Sequence, residues 1–380
     1  MHPEFDLAPD LCYLNHAAVA PWPRRAVAAV TRFAEANGRR GSADYAAWLA
    51  TEQRLRERLA DLIQAPSTDD IALVKNTSEG LSILAQGLDW QAGDNVVGIA
   101  QEFPSNRLPW EALQDQGVAY RVLDLDTTDD PEAALEGLCD AQTRLVAVSS
   151  VQYARGLRLD LKRLSAACRR RGILLCVDAI QSLGALPFDL QRTPVDVVVA
   201  DGHKWMLGPE GIALLYVAPA LRPKLRLRQF GWHMIAHPGD YDRHDWTPSP
   251  TATRFECGSP NLLGIHALEA SLSLLQEVGM AAVATAIEQR FGRLMSLLDQ
   301  AGFEVLTPRA PERHAGILTF RVPGADHPSL WRGLQARGVS CALRGGGIRF
   351  SPHFYTDEAL LDRAVMLVKE VSAGGLTHHP

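Results

Sequence analysis

Lysine is scarce in this chain. Of the 38 basic residues only five are lysines, namely Lys75, Lys162, Lys204, Lys224 and Lys369, so arginine serves the surface. A lysine inside an apolar pattern therefore needs a chemical reason. Lys162 stands beside Arg163 in a helical stretch, Lys224 lies in the basic run LRPKLRLR, and Lys369 falls on the last helical pattern. These three read as solvated surface. Lys75 and Lys204 each follow an apolar run. Lys204 is the sharper case: Val195–Ala200 (VDVVVA) leads into Asp201-Gly202-His203-Lys204-Trp205. A low-dielectric setting lowers a lysine's pKa and makes its amine nucleophilic, which suits Schiff-base chemistry with a carbonyl.

Three other segments carry groups of the right type. Asp178 comes directly after the apolar run Ile173–Val177 (ILLCV). A carboxylate there is costly to bury unpaired and calls for a cation or a donor, although a helix N-cap or a buried ion pair explains it about as well. After Ile71–Val74 comes Lys75-Asn76-Thr77-Ser78-Glu79-Gly80, opening a helix. Hydroxyls and free N–H groups at a helix start seat a phosphate, but alone they read as an ordinary cap by Thr77 or Ser78. Near the C-terminus Arg344-Gly345-Gly346-Gly347-Ile348-Arg349 sets two arginines around a glycine turn. Arginine is the usual fork for a carboxylate, and a surface hairpin is the plainer alternative. Phe103, after Asn95–Ala100, either stacks on a planar ligand or sits in the core. Singly these signals are weak. Together, a lysine, a carboxylate and a phosphate seat match what an aldehyde cofactor with a phosphate and a pyridine nitrogen requires.

The elements that must position them follow from hydrophobic patterning. Ile71–Val74, Asn95–Ala100, Leu145–Val148, Ile173–Val177, Val195–Ala200 and Ile212–Val217 are short, nearly continuous apolar runs, as in strands buried on both faces. Helical stretches such as Glu79–Leu88 and Leu161–Arg171 alternate with them, which predicts an α/β fold around a mostly parallel sheet covered by helices. Ligands of such sheets bind beyond the carboxyl ends of the strands. Two helical patterns, Arg24–Asn37 and Tyr45–Gln64, precede this region. The C-terminal third changes to an α+β pattern: long helices near Leu262–Glu277 and Ala281–Ala301, strands at Ile317–Val322, Val339–Leu343 and Ile348–Ser351, and a helix from Asp357. The expected organisation is a large domain over residues 16–260 and a small α+β domain from residues 1–15 and 261–380.

Composition bounds the partners. The chain has 380 residues, 47% hydrophobic and 22% charged, as in an ordinary globular protein. With 38 basic against 44 acidic residues the net charge is −6, which argues against a nucleic-acid binder or an anionic-membrane binder. No run approaches the roughly 20 apolar residues of a membrane helix, and no signal-peptide pattern is visible. The six cysteines, Cys12, Cys139, Cys168, Cys176, Cys257 and Cys341, form no CxxC pair. They are expected to be reduced thiols of a cytoplasmic protein with no metal site.

The motifs, taken in order, resemble the class V aminotransferase and cysteine desulfurase family, the fold-type I pyridoxal-phosphate (PLP) enzymes. The resemblance runs from Tyr13-Leu14-Asn15-His16-Ala17-Ala18 to Phe354. It rests on Asn76-Thr77-Ser78-Glu79-Gly80, Val177-Asp178-Ala179-Ile180-Gln181, Gly202-His203-Lys204, the segment from Arg254 to Asn261 (RFECGSPN), and Ile348-Arg349-Phe350-Ser351. It implies that Lys204 holds PLP as a Schiff base and later moves the Cα proton. Asp178 would keep the pyridine nitrogen protonated, and Gln181 would hydrogen-bond the phenolic oxygen. Thr77, Ser78 and His203 match phosphate ligands, and Phe103 matches the position over the cofactor ring. Ser259 matches a residue that reaches the neighbouring subunit's phosphate, which implies a homodimer with shared active sites. Arg349 matches the substrate-carboxylate anchor, with Arg344 and His16 as further substrate contacts.

Departures from the family pattern bear on the reaction. Where desulfurases carry a histidine over the ring, this chain has Phe103, which cannot exchange a proton. Where they commonly have serine, it has Asp201, expected to point away from the phosphate. Where many relatives carry asparagine, it has Ser150, with Gln152 close by. The loop after Arg344, which in desulfurases bears the sulfur-accepting cysteine, is Gly345-Gly346-Gly347. Cys341 and Cys257 read as packing residues. The expected function is a PLP enzyme acting at the α-carbon of an amino acid, with class V transamination placed first. A desulfurase-like C–S lyase is the alternative, and a catalytically silent PLP-fold scaffold the second. Elimination usually needs an acid for the leaving group, for which His16, His233 and Tyr153 are the candidates. The pocket wall is expected from His16, Trp205, Trp232, His233 and the glycine turn.

Overall fold

The protein is described by a computed structural model covering residues 2–242 and 244–375. Its strands, in chain order, are β1 (Cys12–Tyr13), β2 (Ile71–Val74), β3 (Asn95–Ile99), β4 (Ala119–Leu123), β5 (Thr143–Ser149), β6 (Leu174–Asp178) and β7 (Val197–Asp201). They continue with β8 (Ala213–Val217), β9 (Glu304–Val305), β10 (Leu318–Arg321), β11 (Val339–Ser340), β12 (Ala342–Arg344) and β13 (Gly347–Phe350).

The large sheet has the order β2-β8-β7-β6-β5-β3-β4. All its pairings are parallel except those of β8, which runs antiparallel to both neighbours. Successive side chains alternate between two cores, as strand geometry dictates. Val146, Val148, Leu175, Val177, Val198 and Ala200 face one core, while Leu145, Ala147, Cys176, Val197 and Val199 face the other. This two-sided burial is what the continuous apolar runs encode. Edge strand β4 reads Ala-Tyr-Arg-Val-Leu and is exposed or half-buried along most of its length, so its pattern gave no apolar run to find.

The second module is a four-stranded antiparallel sheet, β12-β13-β10-β9. Its core gathers Phe291, Phe320, Phe350 and Leu361 with Cys12 and Leu14 from the N-terminus, and β1 pairs in parallel with β11. The boundary expected at residue 261 does not coincide with a change of core. Helix Leu262–Val278 packs on the helices Arg24–Arg40 and Tyr45–Ile63, and its Ile265, Leu268, Leu272 and Leu275 sit in a core of the large sheet. The chain turns at Gly279, whose φ of 85° few other residues tolerate, and the next helix, Met280–Gln300, departs at 83°, with Val283 and Ile287 still in that core and Phe291, Leu294 and Leu298 in the core of the second module. Among the described residues no single helix is long and apolar enough to cross a membrane.

Arg56 ties these layers together. Buried on helix Tyr45–Ile63, it pairs with Glu52 at 2.6 Å and with both oxygens of Glu256 at 2.6 and 2.7 Å, and donates to the carbonyl of Ile71. Glu256 also accepts the N–H of Leu73 in β2. Removing one partner from such a group leaves buried charge uncompensated. Glu256→Ala is expected to cost about 3–5 kcal/mol, read as a lower urea midpoint at unchanged m. A loss below about 1 kcal/mol would show that Glu52 alone satisfies Arg56.

Candidate active site

A cleft of about 540 Å³ opens at the carboxyl ends of β6 and β7, against the first turn of helix Thr77–Gly87 and the strands β12 and β13. Lys204 lies three residues past β7 and is 8% exposed. The other four lysines are all exposed. Burial pulls the Lys204 ammonium down to about 8, with Asp178 pulling it back up and Arg349 adding to the fall. Its amine makes no hydrogen bond to a described residue; its nearest recorded partner is the Phe103 ring, 5.6 Å from Nζ to the centroid.

The loop that presents Lys204 is closed on itself. Gly208 N–H donates to the Gly202 carbonyl at 2.8 Å, and Leu207 N–H to the Lys204 carbonyl at 3.0 Å. Leu207 adopts a left-handed φ of 61°, which an L-residue with a branched side chain avoids unless its surroundings impose it. The Ser271 hydroxyl, from helix Leu262–Val278, holds the Leu207 carbonyl at 2.8 Å.

Asp178 ends β6, 2% exposed. Its Oδ1 accepts the Ile180 N–H at 3.0 Å, and the other oxygen has no hydrogen bond to a described residue. Burial lifts its carboxyl to about 6, against the Ile180 N–H and the Lys204 charge, which favour the anion. Gln181 is oriented by two contacts. Its Nε2 donates to the Ala17 carbonyl at 3.0 Å and its Oε1 accepts the Trp205 indole N–H at 2.9 Å, leaving one amide hydrogen for the cleft.

The cap of helix Thr77–Gly87 is Asn76, whose Oδ1 accepts the Glu79 N–H at 2.9 Å, and not Thr77 or Ser78. That leaves the Thr77 and Ser78 N–H groups without intrahelical partners at the positive end of the helix. Thr77 Oγ1 accepts the Asp201 N–H at 3.2 Å, and Ser78 Oγ donates to Ser105 at 2.8 Å. His203 joins them in the cleft wall. Asp201 does not turn out of the site as expected. It lines the cleft with Oδ1 2.9 Å from His203 Nδ1, close but not aligned as a hydrogen bond.

Across the cleft Arg349, on β13, is 3% exposed. It donates to the Tyr153 carbonyl at 2.6 Å and to Asn15 Oδ1 at 3.4 Å, while its Nε is unpartnered. Burial, with Arg344 nearby, lowers its pKa to about 10, which leaves it a cation at neutral pH. Arg344 lines the same cleft, exposed, and donates to the Leu343 carbonyl. Phe103 and Tyr153 meet edge-on, 5.3 Å between centroids, on the adjoining wall.

Several expected residues lie elsewhere. His16 is fully buried and does not line the cleft. Its Nδ1 meets the Ser351 carbonyl at 2.8 Å and its Nε2 the Tyr355 hydroxyl at 2.7 Å, so it has nothing left for a substrate. Trp205 is buried behind Lys204. Trp232 and His233 sit on a separate loop, with His233 3.6 Å from Glu256. Ser259 is exposed outside its own chain's cleft. Two features escaped the sequence reading. Asn15 braces Arg349. Glu102, buried and pushed up to about 7, accepts the Ser149 N–H at 2.6 Å and the Ser149 hydroxyl, which anchors the turn carrying Phe103.

This constellation can be set against known proteins. The sequence matches the family Aminotransferase class-V over residues 12–359. The chain belongs to that family. Over 398 aligned positions it is 29% identical to a probable cysteine desulfurase of Methanothermobacter thermautotrophicus, covering 98% of this chain and 97% of that one. It is 32% identical to a cysteine desulfurase of Yersinia pestis, covering 73% and 69%. Among solved structures it resembles the cystine C–S lyase C-DES, determined with its product cysteine persulfide, at a TM-score of 0.88 and 26% identity over 95% of this chain and 97% of that one. The fold is thus the fold-type I PLP fold.

The cleft fits that cofactor. A buried amine without a hydrogen-bond partner, a buried carboxylate with a free oxygen and uncapped N–H groups at a helix start are costly to maintain empty. Each has its counterpart in the aldehyde, the pyridine nitrogen and the phosphate. Because Asp178 raises the pKa of Lys204, Asp178→Asn is expected to lower it further. In PLP-free protein, acetic anhydride labelling of Lys204 followed by mass spectrometry should give a midpoint near pH 8, and a lower one in the variant. An unchanged or higher midpoint would mean that Asp178 does not act on Lys204.

Proposed function

We propose that this chain is a PLP-dependent C–S lyase that eliminates sulfur from the β-carbon of a cysteine-type amino acid, in place of the transamination put first above. The observation that carries the reading is the pairing of an intact lysine, carboxylate and arginine set with a turn that holds no thiol. Gly345, Gly346 and Gly347 follow Arg344 directly, and the Gly345 and Gly346 carbonyls are held by Arg155 at 3.3 Å and Arg321 at 2.9 Å. Cys341 reaches the cleft wall but is 2% exposed, and burial pushes its thiol up to about 12, so it is not a sulfur-accepting thiolate at neutral pH. The relatives named as cysteine desulfurases and the cystine lyase support C–S chemistry over amino transfer.

When bound, PLP delocalises the electrons left at Cα when its proton departs. The chain's residues do the rest. Arg349 grips the substrate carboxylate and so fixes which bond at Cα faces Lys204. Lys204, freed when the substrate amine takes its place, is near enough to neutral to accept the Cα proton. The Cα–Cβ double bond forms as the Cβ–S bond breaks, and the bonding pair leaves with sulfur. The released 2-aminoacrylate hydrolyses to pyruvate and ammonia.

Leaving-group help is sparse. Of His16, His233 and Tyr153 only Tyr153 lines the cleft, and Phe103 stands where an imidazole could have donated. The site therefore favours a sulfur that leaves as a stabilised anion, such as the persulfide from a disulfide. Ser259, exposed and outside its own cleft, is assigned to the neighbouring subunit of a two-fold dimer. Sedimentation equilibrium should give twice the 41.5 kDa chain mass, and a monomer would remove that role.

Incubation with cystine and no keto acid is expected to yield pyruvate and ammonia in equal amounts. Pyruvate formed only when a keto acid is supplied, with the cofactor left as its amine, would return the assignment to transamination. Cys341→Ser should retain activity within about twofold, and Arg349→Ala should lower kcat/KM roughly 10- to 100-fold. A Cys341→Ser protein without activity would point to persulfide transfer instead.

A further inference from the structure

We propose that His353, in the C-terminal module and outside the cleft, is a positioning residue for Lys204 and Gln181, acting through the carbonyl of Trp205. The inference rests on the reading of Lys204 as the PLP lysine and is independent of which bond is cleaved.

His353 is fully buried just after β13. Its Nδ1 accepts the N–H of Phe354 at 2.8 Å, so the ring hydrogen resides on Nε2. That N–H then donates to the carbonyl of Trp205 at 3.0 Å. A doubly protonated ring would set Nδ1–H against the Phe354 N–H. Burial, with His16 and Arg290 nearby, pushes its pKa well below the ordinary range, in keeping with the neutral form. The Trp205 carbonyl has no other donor among the described residues, so this hydrogen bond is the one that satisfies it.

Trp205 is the residue after Lys204, and it is clamped on every side. Gly184 crosses the same peptide so closely that a Cβ there would lie 2.1 Å from the Trp205 oxygen. A Cβ on Gly316 would lie 2.7 Å from the indole. The indole N–H donates to Gln181 Oε1, which decides which end of that amide faces the cleft. One donor from the second module therefore fixes both the backbone that carries the amine and the indole that orients the amide. The packing around Trp205 supplies shape, and His353 supplies the directional contact that sets the peptide's rotation.

Two polar variants separate this role from simple filling of space. His353→Gln can place an amide N–H near the Nε2 position. His353→Asn keeps a polar group near Nδ1 but does not reach Trp205. The first readout is the pH midpoint of Lys204 labelling by acetic anhydride in the PLP-free full chain. The second is the pH midpoint of the visible band of the PLP-loaded protein. The third is kcat against KM for cystine. His353→Asn is expected to move both midpoints by about half a pH unit. It should lower kcat about tenfold with KM within about twofold. His353→Gln is expected to stay close to the parent in all three. The inference is overturned if the two variants behave alike, whether both match the parent or both are equally impaired. If His353→Asn does not fold, Trp205→Phe takes its place. It removes the indole N–H but keeps the carbonyl contact, so the band should shift while the Lys204 midpoint holds, and a moved Lys204 midpoint would overturn the proposal. If borohydride fails to fix PLP on Lys204 in the parent protein, the underlying reading fails, while the labelling midpoints still test His353.

Discussion

The structure depends on the burial of one amine. Water would hold the Lys204 ammonium well, and the fold removes that water while giving it no hydrogen bond from the described residues in return. Asp178, itself buried and itself raised, gives the larger compensation, and Asp201 at the end of β7 adds to it. Neither group is comfortable without the other, and neither is fully satisfied by it. This is an unfinished pairing that a pyridine aldehyde would complete, the amine taking the aldehyde and the carboxylate the ring nitrogen.

The surroundings keep that pair from relaxing. β6 and β7 run parallel and adjacent, so their carboxyl ends deliver Asp178 and the Lys204 loop to the same side of the sheet. The left-handed Leu207 and the Gly202–Gly208 closure hold the loop against solvent, and Ser271 secures it from a helix that belongs to the large core despite its place late in the chain. The second module contributes Arg349 from β13 and the His353 contact behind Trp205. The cleft is a seam between modules, lined by groups from both.

Much of this was legible in the sequence, for physical reasons that also mark where legibility ended. Strands buried on both faces leave continuous apolar runs, so the core strands of the large sheet stood out, while the half-exposed β4 did not. Lys204 and Asp178 were visible because charge directly after such a run is costly. The cap at Asn76 was missed because Asn, Thr and Ser in succession all cap well, and only geometry selects among them. The place of helix Leu262–Val278 in the large core was hidden because a helix buried against either module shows the same apolar face. His16 was misplaced for a related reason: a histidine beside a motif looks functional until both ring nitrogens are found engaged. The contacts of Trp205 with Gln181 and His353 join residues far apart in the chain, and no spacing rule connects them.

The lysine census has a last consequence. A free aldehyde condenses with any unprotonated amine it meets, so a protein that must load such a molecule risks stray carbonyl adducts over its whole surface. Here only four of the five lysines stand in solvent, and the surface is otherwise furnished with guanidinium groups that do not form Schiff bases under mild conditions. Arginine in place of lysine thus leaves few surface amines to compete with Lys204 for an aldehyde.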